Sequence, residues 1–148
     1  MRESGTARPT VMREAAAVVA VVFGVVGIAG FIPGITTGYG DMTFAGHDSG
    51  AELFGVFDVS VLHNLIHLAF AVAGLLLART VAGARAYLIG GGVVYLVVAM
   101  YGALVDRASN ANVVPVDNAD DWLHFALGVG MIGLGLALAQ RDRIEPPA

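Results

Sequence analysis

Three of the four histidines in this chain fall inside apolar stretches, where an ionisable side chain is costly and suggests a function. His63 and His67 lie four apart in the run Leu62 to Gly74, LHNLIHLAFAVAG, a spacing that puts both on one face of a helix. His124 lies in a fainter copy of that run, Asp121 to Gly130, DWLHFALGVG. With a shift of 57, His67 falls on His124 and Asn64 on Asp121. Two imidazoles at i and i+4, with a third from a neighbouring helix, form a three-nitrogen set suited to zinc or copper. Asp58 or Asp121 is a candidate fourth ligand. Asn64 and Asp121 each precede a histidine by three residues, from where an amide or carboxylate can orient an imidazole. A b-type haem between His67 and His124 is a variant, because glycine-rich helices leave room for a flat macrocycle. The competing reading has these side chains hydrogen-bonding between helices or reaching into lipid headgroups. There is no HExxH and no cysteine partner, so spacing alone does not decide between them.

A second constellation is His47-Asp48-Ser49. The residue types suit a nucleophile and its base, but a triad is defined by geometry, which adjacency does not supply. An exposed polar turn accounts for His47 and Asp48 more simply. Gly90-Gly91-Gly92 lies inside an apolar run with no strand before it, so it is a packing surface rather than a phosphate-cradling loop.

The elements that must position these groups are membrane helices. The chain has 148 residues, enough for one domain, and is 57% hydrophobic and 14% charged, where a soluble domain has roughly 25% charged residues. Cysteine is absent, which excludes disulfides and thiolate sites. A net charge of −4 without a basic stripe argues against nucleic-acid binding. Four apolar runs predict spans at about 15–32, 59–78, 86–105 and 121–139. They make a transmembrane domain over 15–140, with polar tails at 1–14 and 141–148. A signal peptide is the rival reading of the first run, but 18 residues is long for one and Gly30-Phe31-Ile32-Pro33 is a poor cleavage site. Continuous apolar runs rather than alternating strands exclude a β-barrel.

The fold class expected is therefore all-α, a four-helix antiparallel transmembrane bundle. A long loop, 33–58, lies over the outer end between the first two helices. Its segment Ala51 to Phe57 is apolar enough to lie on the membrane or to start the next helix early. The shift of 57 relates the two halves as two pseudo-repeated helical hairpins of the same orientation. Gly24, Gly27 and Gly30 line one face of the first span, where another helix can approach closely. Seven of the eight arginines fall on one side, Arg107 alone on the other. The positive-inside rule then puts both termini in the cytoplasm of a multi-pass plasma-membrane protein.

Several segments resemble a known family. They are Phe31-Ile32-Pro33-Gly34, the loop run Thr43 to Ala51, Leu62 to His67, and Trp122-Leu123-His124. Together they resemble short four-pass bacterial integral membrane proteins catalogued as a domain of unknown function. The resemblance covers roughly 15–140 and implies the same four-helix architecture. It implies no activity, substrate or cofactor. Three function classes follow from the residues. The first is a non-enzymatic accessory or interaction protein, with a membrane-protein partner or a second copy of itself. The second is a metal- or haem-binding protein using His63, His67 and His124. The third is a small transporter or channel, which would need a polar path that the inner halves of the spans do not offer.

Overall fold

The structure is a computed structural model and describes residues 10–144, with side chains through Arg141. Of the two expected tails, residues 1–9 and 145–148 lie outside the described residues, while Val11 to Glu14 already belong to the first helix. The four helices are α1 Val11–Ala29, α2 Val61–Leu77, α3 Val81–Leu104 and α4 Asn118–Ile144. Hydroxyl caps set two of the starts. Ser60 Oγ accepts the His63 N–H at 3.1 Å, which fixes His63 in the first turn of α2. Thr80 Oγ1 accepts the Gly83 N–H at 3.0 Å, so α3 begins five residues before the expected span. At the far end of α2, the Arg13 guanidinium donates to the Ala78 carbonyl at 3.0 Å and satisfies a helix-terminal acceptor.

The helices form an antiparallel bundle held by close backbone approach. Along α1 and α2 the facing pairs run in opposite directions: Gly24 meets Ala71, Gly27 meets Leu68, and Gly30 meets Asn64. The glycine face expected on the first helix is thus the surface on which α2 rests. On α3 and α4 the pairs are Gly91 with Met131, Gly92 with Gly128, and Gly102 with Asp121. A Cβ on Gly92 would sit 2.8 Å from the Gly128 carbonyl oxygen, and one on Gly128 would sit 2.9 Å from that of Gly92. Only small residues permit that contact.

The expected repeat with a shift of 57 holds for α2 and α4 but not for α1 and α3. Asn64 and Asp121, 57 apart, each lie against a glycine of the preceding helix, Gly30 and Gly102. Those glycines are 72 apart, so the first helices of the two hairpins align with a different offset from the second helices.

The loop between α1 and α2 is not irregular, as expected, but carries a three-stranded antiparallel sheet. Its strands are β1 Thr36–Thr37, β2 Ala51–Leu53 and β3 Phe57–Val59, in the order β1-β2-β3. Ala51 to Phe57 does not start the helix early. It turns back as a hairpin, with positive φ at Phe54 (56°) and Gly55 (68°). Ala51, Leu53 and Val59 are buried under the sheet with Ala29. Thr36 Oγ1 donates to the Ala29 and Gly30 carbonyls, both at 3.2 Å, and ties the sheet to the end of α1.

Three helices are long and apolar enough to cross a membrane: Val11–Ala29, Val81–Leu104, and Asn118–Arg141 within α4. The apolar α2 is shorter, at 17 residues. Large apolar side chains such as Val18, Val25, Val72, Met100 and Val129 face outward on all four helices, while three histidines face inward. That inverts the usual soluble arrangement and suits a lipid environment.

Candidate metal centre

His63 and His67 come from the first two turns of α2 and His124 from the second turn of α4. All three are buried. One ring nitrogen from each lies within 4.8 Å of the others. The His63 and His67 rings stack at 4.8 Å and 16°, and the His63 and His124 centroids are 5.9 Å apart. The convergence expected from i, i+4 spacing and the repeat is therefore present. A tetrahedral ion with bonds of about 2.0–2.1 Å holds its ligand nitrogens roughly 3.4 Å apart. The nitrogens lie within 4.8 Å of one another, so an ion bound there would draw the rings closer together.

Hydrogen bonding prepares the lone pairs. His67 Nδ1 lies 3.2 Å from the His63 carbonyl oxygen, which can only accept, so Nδ1 carries the proton and Nε2 the free lone pair. A backbone carbonyl in this role is a common support for a metal-bound imidazole. Nδ1 of His124 is buried and has no hydrogen-bond partner; Nδ1 of His63 is buried without a well-aligned one, although the Asp58 and Pro115 backbones lie near its ring. A buried polar atom without a partner is uncommon and requires an explanation, of which an absent ion is one.

Two small cavities flank the cluster. One of about 120 Å³ lies between α2 and α3 under the second loop and is bounded by Phe70, Tyr95 and Val116. The other, about 80 Å³, lies under the β2–β3 hairpin and is bounded by Leu53, Phe57 and Asp120. Both are far below the roughly 300–1,000 Å³ that holds a drug-sized ligand. Neither cavity has room for a haem macrocycle without the helices moving apart. Below the histidines, Phe23 stacks on His67 at 5.8 Å and on Tyr95 at 5.1 Å, and Phe70 meets Tyr95 edge-on at 5.2 Å. These rings close the site toward the bundle interior.

The other expected site residues lie elsewhere. Asn64 is spent on α1, where it rests on Gly30 and its amide meets Met42 Sδ at 4.0 Å. Asp121 turns toward α3, rests on Gly102 and pairs with Arg107 at 2.9 Å. Both residues precede a histidine by three, but that position faces the partner helix rather than the imidazole. Asp58 contributes its backbone: its N–H donates to Asp120 Oδ2 at 3.1 Å. Burial, then the charges of Asp117 and Glu52, hold the Asp58 carboxyl above its ordinary value. No carboxylate joins the three-histidine group among the described residues. His47 and Asp48 pair with each other at 3.2 Å on the loop, apart from the cluster. The Ser49 hydroxyl donates to the Val59 carbonyl, so no triad forms.

The residue missed is Asp120. It precedes His124 by four and so shares its helix face, a spacing readable in the sequence. The aromatic floor of Phe23 and Tyr95 had no comparable signal, because it assembles from α1 and α3.

A family profile described as a domain of unknown function, DUF4383, matches residues 13–137. The chain belongs to the DUF4383 family. The match takes in all four helices nearly whole, the sheet and the histidine cluster, so the cluster lies within the DUF4383 domain itself. Comparison with curated proteins and with solved structures found no match.

Proposed function

We propose that this DUF4383 protein is a multi-pass membrane protein that holds one transition-metal ion on His63, His67 and His124. The observation that carries the reading is the convergence of ring nitrogens from three buried histidines within 4.8 Å, the His124 imidazole having a buried nitrogen without a partner. The imidazole set suits zinc or copper. The role in this reading is binding rather than catalysis: the cavities beside the cluster are small and no serine, threonine or cysteine lines them. The aromatic floor also gives no support to a channel or transporter.

All four helices cross the bilayer in this reading. α2 and α3 join through the short turn at Ala78 to Thr80, at the end where α1 begins. If α1 and α3 span, α2 must carry the chain back. By the positive-inside rule, the arginines flanking that end favour the cytoplasmic side of a plasma membrane for it and for both termini. The site then lies buried at the outer end of the bundle.

The test is titration of the detergent-purified, tag-free protein with Zn²⁺ and with Cu⁺. One equivalent binding to wild type, and none to His67→Ala with His124→Ala, supports the reading. Equal binding by both proteins refutes it.

A second reading, association with another membrane protein or a second copy, has its own observation. Ala126, Gly130, Gly133 and Ala137 form an exposed small-residue stripe on α4. Gly133→Leu would disrupt such an assembly, and an unchanged mass by light scattering would exclude it.

A further inference from the structure

We infer that Asp120 is the counter-charge of the histidine site and selects a divalent ion, Zn²⁺ or Cu²⁺, over Cu⁺. The inference rests on the three-histidine reading and gives it a substrate class. Asp120 is 2% exposed and lines the same 80 Å³ cavity as His63, His67 and His124. It stands one helical turn before His124, on the same face of α4.

Helix capping accounts for part of this placement. Asp120 and Asp117 form a reciprocal box: the Asp117 N–H donates to Asp120 Oδ2 at 3.2 Å, and the Asp120 N–H donates to Asp117 Oδ1 at 2.7 Å. Capping does not require burial, because a first-turn acid caps equally well in water. Nor does Asp120 have a cation. The Arg107 guanidinium is committed to Asp121 and Asn118, and no ion pair reaches Asp120 among the described residues. The neighbouring acids, Asp58 and Asp117, add negative charge. A buried carboxyl without a cation is neutralised by a proton, and a metal bound beside it releases that proton and leaves the anion as its counter-charge. The bonds from Asp58 and Asp117 occupy Oδ2 and leave Oδ1 outside them.

The charge arithmetic gives the selectivity. Three imidazoles are neutral ligands, so a bound dication keeps its full double charge inside an apolar bundle. Asp120 halves that charge. Cu⁺ on the same nitrogens carries one charge without help and gains less from a nearby anion. Asp120 acts from outside the ligand set, as a carboxylate oriented by backbone N–H groups beside the ion.

The test compares wild type, Asp120→Asn and Asp120→Glu in tag-free, detergent-purified protein. Each is titrated with Zn²⁺, and anaerobically with Cu⁺ against a competing chelator. Asn keeps an oxygen for the cap and removes the charge; Glu keeps the charge and alters the cap. A partner hydrogen-bonded to a metal ligand contributes about 10–100-fold in affinity, and a buried charge that acts without such a bond falls at the lower end of that range. The expected result is a Zn²⁺ affinity at least tenfold weaker in Asp120→Asn, a Cu⁺ affinity within about threefold of wild type, and a retained Zn²⁺ preference in Asp120→Glu. Equal losses for both ions, or equal losses in both variants, would overturn the inference and assign Asp120 to capping alone. Unchanged Zn²⁺ binding in Asp120→Asn would also overturn it and leave the histidine site standing. Failure of wild type to bind either ion would instead remove the three-histidine reading itself.

Discussion

Replacing Phe23 with alanine removes the ring that joins the histidine cluster to the bundle core. Phe23 is buried and contacts His67, Phe70 and Tyr95 at centroid distances of 5.8, 5.6 and 5.1 Å. In a soluble core, Phe→Ala costs about 3–5 kcal/mol, of which roughly 1.5–3 kcal/mol is transfer of the side chain out of water. Lipid is as apolar as the core, so the transfer part is largely absent in a membrane. What remains is lost packing, about 2 kcal/mol. Aromatic pairing accounts for a share of it, about 0.5–1.5 kcal/mol per favourable ring pair. The control is Val22→Ala, at a position that is 52% exposed on the outside of α1 and should change stability by less than about 0.5 kcal/mol. The assay is reversible unfolding in mixed micelles, followed by helical circular dichroism. The paired variant Phe23→Ala with Tyr95→Ala should show a coupling of about 0.5–1.5 kcal/mol. A Phe23→Ala loss no larger than that of Val22→Ala, with zero coupling to Tyr95, would refute the packing described for this floor.

Gly74→Ala should destabilise the bundle by about 1–3 kcal/mol, because the new Cβ overlaps the Tyr87 ring and Ala20. Gly133→Ala, at a site with nothing near the new methyl, should be neutral or should stabilise by up to about 1 kcal/mol; the same unfolding assay reads both. Arg107→Ala leaves Asp121 without its partner at 2.9 Å and with its other oxygen already buried and unsatisfied, so a loss of about 1–3 kcal/mol is expected. For Asp58, burial and the neighbouring acids hold the folded-state pKa above the ordinary 3.8, so its carboxyl favours the folded state when protonated. That contribution is complete below 3.8 and is lost as pH rises through the raised pKa, so Asp58→Asn should flatten this part of the melting-temperature profile.

The helices and the histidine cluster were legible in the sequence because each rests on a periodicity. Apolar runs mark the spans, i, i+4 spacing puts His63 beside His67, and the shift of 57 brings His124 to the same level. The orientation of Asn64 and Asp121 was not legible, because a position three residues from a histidine can face either the imidazole or the neighbouring helix. The glycines at 30 and 102 decide it, by leaving room only on the helix side. The sheet was hidden for a different reason. Its strands are two or three residues long, too short for alternation to show, and its hairpin turn places Phe54, an ordinary side chain, at positive φ. Asp120 could have been found, since it stands four residues before His124, but the adjacent Asp121 drew the assignment by its match to Asn64.

X-ray absorption of the Zn²⁺-loaded protein tests the metal centre most directly. The predicted result is one ion per chain with three imidazole nitrogens at about 2.0–2.1 Å, lost in His67→Ala with His124→Ala while the helical spectrum persists. A metal-free protein after loading, or an ion bound mainly by oxygen and unaffected by the two substitutions, would contradict the account.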